Sequence, residues 1–183
     1  GFLYQQSTMR DAIVAGVTLN IFNKHCDRVK MACIAQIVNV LQAVVLTEGK
    51  KMLRTPTWQV FHMYKHHQGA ELVESCLEGN GTTGTEEMQV TDVHESVSVD
   101  KDGVVTVTLN NLSLTDEKKL EIVLAEKNPS SVEGTILHGA MNAHNRFEEP
   151  ENVVEKEFQE FTLTERGITL TIPPCSVMML RLH

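Results

Sequence analysis

The chain has 183 residues, 42% of them hydrophobic and 22% charged, with a formal net charge of −8. That length accommodates one large domain or two small ones, and the acidic balance opposes a phosphate backbone, which argues against a nucleic-acid partner. No apolar run approaches the roughly 18 residues of a membrane-spanning helix, and the first residues carry no basic start followed by an apolar core, so neither a membrane span nor an export signal is expected.

Residues 6–26 read as a helix. "TMRD" at 8–11 resembles a capping box with Asp in the usual Glu place, and Met9, Ile13, Val17 and Ile21 fall at i, i+4, i+8 and i+12 as one apolar stripe. Ala12 and Gly16 beside the stripe permit close packing, and His25 stands at the helix end, where it can meet the dipole. "VKMACIA" follows, with Val29, Met31 and Cys33 on one face and Lys30, Ala32 and Ile34 on the other. Both faces are largely apolar, which predicts a parallel-type strand covered on both sides. Gln36 is in phase with Ala32 and Ile34 at the carboxyl end of that strand, the edge where α/β folds bind ligands. A turn is expected around Asn39, an extended segment through 44–46, and a solvated loop at 48–51. A second helix should start near Pro56, with Thr55 as its N-cap and Val60, Phe61 and Tyr64 as its apolar face, ending at Gln68-Gly69.

From Ala70 the texture changes. "LEGNGTTGTEE" at 77–87 reads as a mobile loop. Apolar residues then alternate with polar ones at 105–109, 120–124 and 168–172, separated by turn signals at Lys101-Asp-Gly103, Asn110-Asn111, Asn128-Pro129 and Arg166-Gly167. This pattern predicts antiparallel strands with one buried face, most simply a sandwich. The four cysteines are far apart and form no CxxC, which favours reduced thiols in a cytoplasmic protein, with Cys33 inside the apolar strand.

Three blocks, "STMRDA", "DRVKMACIAQIVNVLQ" and "NAHNRFEEPE", followed by the terminal "LTIPPCSVMMLRL", stand in one order along the chain. In this they resemble the carboxyl-terminal part of α-L-arabinofuranosidases of glycoside hydrolase family 51, and the likeness covers essentially the whole chain. The resemblance implies that residues 1–68 finish a (β/α)8 TIM barrel and residues 69–183 form a jelly-roll-like antiparallel β-sandwich. It implies a retaining, exo-acting glycosidase that removes terminal α-L-arabinofuranosyl units from arabinan, arabinoxylan or arabino-oligosaccharides. Such chemistry needs an acid/base carboxyl and a nucleophilic carboxyl roughly 5 Å apart. In the family both lie upstream of the region matched here, so no catalytic residue is expected in this chain, and the chain alone should be inactive. Its partner would be the upstream barrel portion of the same enzyme, and self-association, often as hexamers, is implied by resemblance only.

Gln36 is the expected substrate-binding residue. Its amide both donates and accepts, which suits a sugar hydroxyl, and the resemblance places a substrate-binding glutamine there. Asn39 is close enough in sequence to shape the same pocket. Glu48, in the solvated "LTEGKK", and the adjacent pairs Glu86-Glu87 and Glu148-Glu149 read as surface acids, since strand neighbours point to opposite faces. His62 and His66 share a helical face, but the segment His-Met-Tyr-Lys-His-His lacks the Glu and third ligand of a zinc site, so these and His67 read as a solvated face. Trp58 and Tyr64 read as core. Asn142, His144 and Asn145 read as residues that hold a long loop by side-chain-to-backbone bonds. No cofactor or metal motif is found. The reading from another class is a noncatalytic carbohydrate-binding or assembly module, against which stand the few aromatic side chains, one Trp and two Tyr.

Overall fold

The computed structural model describes residues 7–34, 37–125 and 128–183. The first helix, α1, spans Met9–Lys24. Its capping box is formed: the Thr8 backbone N–H donates to Asp11 Oδ2 at 2.7 Å, and the Thr8 side chain meets the Asp11 backbone N–H in return. The next two donors of the first turn are also satisfied, by a distant loop: Met9 N–H meets the Ala143 carbonyl at 2.8 Å and Arg10 N–H the Met141 carbonyl at 3.0 Å. Helix starts always leave such groups to be satisfied; here the 141–145 loop does it. The buried face of α1 is Met9, Ala12, Ile13, Gly16 and Asn20, whereas Ile21 is 45% exposed. The predicted stripe is therefore right for its first half and rotates away from Ile21 in its second.

A hairpin follows, β1 (Val45–Glu48) and β2 (Lys51–Arg54), turning at Gly49 with φ +58°. Helix α2 covers Pro56–Tyr64 and continues as a 3-10 turn over Lys65–His67. Thr55 is its N-cap residue, but the Thr55 hydroxyl donates to the Ala43 carbonyl at 2.9 Å and so ties the helix to the preceding loop. Val60, Met63 and Tyr64 are buried, while Phe61 is 36% exposed, which corrects the expected apolar face.

The remaining elements are β3 (Glu71–Val73), β4 (Thr82–Gly84), β5 (Gln89–Thr91), β6 (Val93–Val99), β7 (Val105–Asn111), β8 (Lys118–Val123), β9 (Val132–His138), β10 (Lys156–Phe158), β11 (Phe161–Thr164), β12 (Gly167–Ile172) and β13 (Ser176–Leu182). Six of them form one antiparallel sheet in the order β10-β9-β13-β7-β6-β3, and three form a second in the order β11-β12-β8. The central strand β13 shows how they pack. Its Met178, Leu180 and Leu182 meet Ile168, Leu170 and Ile172 of the small sheet, while Val177 and Met179 face Met9, Ile13, Val60 and Met63 of the helices. The large sheet is thus covered on both faces, by a sheet on one side and by α1 and α2 on the other.

Several turn signals meet different fates in this setting. The sequence predicts a turn at Asn110-Asn111; both residues are fully buried within β7. Asn111 Nδ2 donates to the carbonyls of Asp116, Ile172 and Pro173, so it is an internal tie between strands. The 77–87 stretch, which reads as a loop, contributes β4 to a hairpin with β5. The expected turns at 101–103 and 166–167 are present, with φ +79° at Gly103 and +154° at Gly167.

The segment "VKMACIA" departs most. Over 29–34 it makes no strand, and Met31, Ala32 and Cys33 are exposed. The physical reason is the absence of neighbours: within the described residues no strand runs alongside to take its backbone bonds, and an extended chain without a ladder leaves its N–H and C=O groups to solvent.

Candidate functional site

The site expected from sequence lies just after this segment. Gln36 itself falls outside the described residues. The loop at 37–44 that follows is compact and heavily tied. Val44 and Val45 N–H groups donate to the Ile37 carbonyl, both at 3.1 Å, and Ala43 N–H donates to the Val40 carbonyl at 3.0 Å. Asn39 and Gln42 both have positive φ, +57° and +63°. Each such residue other than glycine costs on the order of 1–2 kcal/mol. Each is held by its side chain. Asn39 Oδ1 accepts from the Thr47 N–H at 2.7 Å, and Asn39 Nδ2 donates to Thr47 Oγ1 at 2.8 Å. Gln42 Nε2 donates to Asp11 Oδ1 at 3.3 Å, the carboxylate that also caps α1. The turn expected around Asn39 is present. Gln42 escapes the sequence reading, because nothing in "NVLQAV" signals a left-handed glutamine.

Two grooves flank the extended segment. One, about 470 Å³, is lined by Leu19, Phe22, Val29, Met31, Phe61 and His67 among others; a second, about 180 Å³, by Val14, Thr18, Cys33, Ile34, Gln42 and Phe61. Among the described residues no carboxylate lines either groove. The acids weighed from sequence lie apart and in solvent: Glu48 in the β1–β2 hairpin, Glu86 and Glu87 near the β4–β5 hairpin, Glu148 and Glu149 on the 145–153 loop. Glu149 pairs with Arg146 at 2.6 Å. Among the described residues no group of three or more His, Cys, Asp or Glu side chains is placed to hold a metal ion. The described residues bring polar and apolar walls together here, but no pair of carboxyls.

Beneath the grooves lies a buried polar layer between the helices and the large sheet. Ser96 and Thr108 hydroxyls both donate to Asn20 Oδ1, at 2.9 and 2.7 Å. His67 bridges Ser98 Oγ through Nδ1 at 2.7 Å and Thr108 Oγ1 through Nε2 at 3.0 Å. With the Thr108 proton given to Asn20, Thr108 accepts from His67, which assigns the neutral Nε2–H tautomer. Burial lowers the His67 pKa to about 4. Asn110 Nδ2 donates to the Tyr64 hydroxyl at 2.9 Å, and burial raises the Tyr64 pKa above its ordinary range. His67 is therefore a bracing residue, which corrects the expectation of a solvated face; His62 remains half-exposed, bonded to Glu155 at 2.7 Å. Tyr64 is core as expected. Trp58 is half-buried, stacked on His62 at 5.0 Å with Arg54 4.1 Å from its ring centre, so its ring is engaged within the chain.

The 142–153 loop is held as expected, chiefly by Asn145. Asn145 Nδ2 donates to the carbonyls of Arg54 and Val153 at 2.8 and 2.9 Å, and Asn145 Oδ1 accepts from the Val153 N–H at 2.6 Å. His144 Nδ1 donates to the Asn142 carbonyl at 3.1 Å. The loop thereby joins β2 to the start of α1. The four cysteines are free; Cys26, Cys33 and Cys76 are exposed, and Cys175 is buried, which raises its thiol pKa.

Two facing antiparallel sheets with a helical pair docked on the larger one define the class, a β-sandwich capped by helices. The chain belongs to the α-L-arabinofuranosidase C-terminal domain family, whose model matches residues 1–176. It is 38% identical to an intracellular exo-α-L-arabinofuranosidase of Bacteroides ovatus over 184 aligned positions, covering 100% of this chain and 36% of that protein. It is 28% identical to the intracellular exo-α-(1→5)-L-arabinofuranosidase 1 of Bacillus subtilis (strain 168), covering 94% of this chain and 35% of that one. Among solved structures, the GH51 arabinofuranosidase from Xanthomonas axonopodis pv. citri superposes with a TM-score of 0.94 at 36% identity, over 99% of this chain and 37% of that one. The chain thus spans about a third of the length of the relatives it matches.

Proposed function

We propose that this chain is the carboxyl-terminal part of a retaining, exo-acting α-L-arabinofuranosidase of glycoside hydrolase family 51. Residues 1–68 supply the end of a (β/α)8 catalytic barrel, and residues 69–183 a jelly-roll-like sandwich that braces it. The catalytic carboxyls come from the upstream portion, which is the chain's obligatory partner. Gln36 binds the arabinofuranosyl group, and the substrates are terminal arabinofuranosides of arabinan, arabinoxylan or their oligosaccharides. The enzyme works in the cytoplasm, in line with relatives named intracellular, and assembles as an oligomer. No membrane or nucleic acid takes part.

The observation that carries this reading is the extended 29–34 segment. It is largely apolar and unpaired, with Met31, Ala32 and Cys33 exposed, and it is flanked by an apolar surface at Val14 (58% exposed), Ile21 and Phe61 on the helices and by Ile37 (63%) and Val38 in the next loop. Such a patch is a binding surface for further protein, and relatives about three times as long offer that protein. Grooves walled without carboxylates fit a chain whose acids come from elsewhere.

The test is hydrolysis of an aryl α-L-arabinofuranoside by the complete enzyme. Activity is expected, and Gln36→Ala should weaken transition-state binding by about 1–3 kcal/mol, the cost of losing a buried hydrogen bond. A complete protein that binds arabinan without cleaving it would favour the noncatalytic module instead.

A further inference from the structure

We propose that the cavity between α2, β9 and β13 is a small-molecule site, shaped for one neutral polyhydroxylated molecule about the size of a pentose. It adds a binding role to a region that otherwise only braces a barrel. The site stands on the cavity itself, and only the choice of L-arabinose as its probe rests on the function proposed above.

The strands and the helix place its walls. Met179 and Arg181 share one face of β13, because side chains alternate along a strand, and they lie opposite Thr135 and Glu133 of β9. His62 and Met63 come from α2 and His66 from the 3-10 turn that continues it, while Glu155 stands just before β10. Together they enclose about 210 Å³. That is below the roughly 300–1,000 Å³ of a pocket for a drug-sized ligand, so the occupant is one small molecule. None of these residues belongs to the exposed apolar patch assigned to the upstream portion.

The polar groups choose the chemistry. A lysine ammonium only donates, and Lys65 Nζ lies 2.9 Å from His62 Nε2, so that nitrogen accepts and Nδ1 carries the proton. His62 Nδ1 then donates to Glu155 Oε1 at 2.7 Å, and the ring is stacked on Trp58. Glu155 is thus fixed through one oxygen, while its Oε2 is buried with no partner among the described residues. Arg181 directs Nη2 to Asp100 at 3.5 Å and Nη1 to Glu133 at 3.8 Å, and its Nε is likewise buried without a partner. Buried polar atoms are costly unless bonded. Here an open acceptor and an open donor belong to residues lining the same cavity, and a hydroxyl-bearing ligand answers both. Burial, with Arg181, Lys65 and His62 close by, lowers the His66 pKa, so near pH 7 its neutral ring both donates and accepts. Met63 and Met179 supply an apolar floor for C–H groups. Glu133 and Glu155 oppose an anion and Arg181 opposes a cation, which leaves a neutral ligand.

The experiment uses the complete enzyme and L-arabinose. Equilibrium dialysis with the labelled sugar should find two molecules bound per chain. A crystal soaked in the sugar should show one of them within hydrogen-bond reach of Glu155 Oε2 and Arg181 Nε. Glu155→Gln keeps an acceptor for His62 but turns the open acceptor into a donor. Arg181→Lys keeps a positive charge beside Asp100 and Glu133 but removes the Nε–H. Each variant should weaken this one binding event at least about tenfold and leave hydrolysis of an aryl α-L-arabinofuranoside as in the parent, a tenfold loss being what about 1.4 kcal/mol of lost hydrogen bonding produces. If one variant fails to fold, the other decides. Water alone in the soaked cavity, or two molecules bound with parent affinity in the folded variants, would overturn the site. A protein inert towards the arabinofuranoside that still binds arabinose at Glu155 and Arg181 would uphold the site and overturn the underlying function.

Discussion

Gly16→Ala offers a sharp test of how the helices sit on the sheet. In an exposed helix this change stabilises by about 1 kcal/mol. Here the added Cβ would lie 2.1 Å from Asn110 Oδ1 and 3.0 Å from Asn110 Cγ. Asn110 is fully buried and donates to the Tyr64 hydroxyl, which is buried as well, so its amide cannot swing into solvent. Overpacking costs about 1–3 kcal/mol, and breaking the Asn110–Tyr64 bond with both groups still buried costs about 1–3 kcal/mol more. Setting the propensity gain against these leaves a net loss of about 1–5 kcal/mol. Thermal unfolding of the chain should show it as a drop of about 2–4 °C per kcal/mol for a protein of this size. In an Asn110→Ala background the obstruction is gone, and Gly16→Ala should become neutral or stabilising. A Gly16→Ala single variant as stable as the parent would refute the close packing of α1 against β7.

Protonation of His67 gives a pH prediction. Its folded pKa is lowered to about 4, below the unfolded value of 6.5, because burial disfavours the charged ring. The unfolded state therefore binds the proton first, and the stability is fully present above pH 6.5 and lost as pH falls towards 4, by about 2–3 kcal/mol. His66 and His94 are also shifted down by burial and act in the same direction. Denaturant melts at about pH 7.5, above that window, and at about pH 4.5, near its lower end, should show most of the drop, and His67→Gln should shrink it; an unchanged drop would exclude His67 as its source. Asn145→Ala removes three bonds at a buried position and should cost about 2–4 kcal/mol in denaturant melts, most of it from orphaned backbone groups. Little change would mean that the loop does not brace α1 and β2.

How much of the fold is legible in the sequence follows from how local each signal is. The capping box at Thr8–Asp11, Pro56 opening α2 and the alternation in β12 are carried by a few adjacent residues, and each reads correctly. Asn110-Asn111 misleads because asparagine favours turns in isolation; the helices over Asn110 on one face of β7, and the chain around Ile172 against Asn111 on the other, make buried strand positions of them. Phe61 and Met63 exchange roles because the helix period fixes an apolar face only to within a residue or so, and the sheet beneath chooses Met63. The family is legible in long blocks of fixed order, whereas the left-handed Gln42 and the tie from Asn145 to Arg54 depend on contacts that no local pattern encodes. The apolar segment at 29–34 has the pattern of a strand covered on both faces, yet among the described residues no strand pairs with it and Met31, Ala32 and Cys33 stay exposed.

That segment also supplies the most direct measurement of the central claim. Cys33 is exposed here, and with Cys26 and Cys76 changed to Ser it is the accessible thiol among the described residues, since Cys175 is buried. If 29–34 is a barrel strand waiting for its neighbours, Cys33 should react with a water-soluble thiol reagent rapidly in this chain and at least about a hundredfold more slowly in the complete enzyme, where opening of a protected core is required. Equal labelling rates in the two would contradict the claim that the rest of the enzyme covers this face.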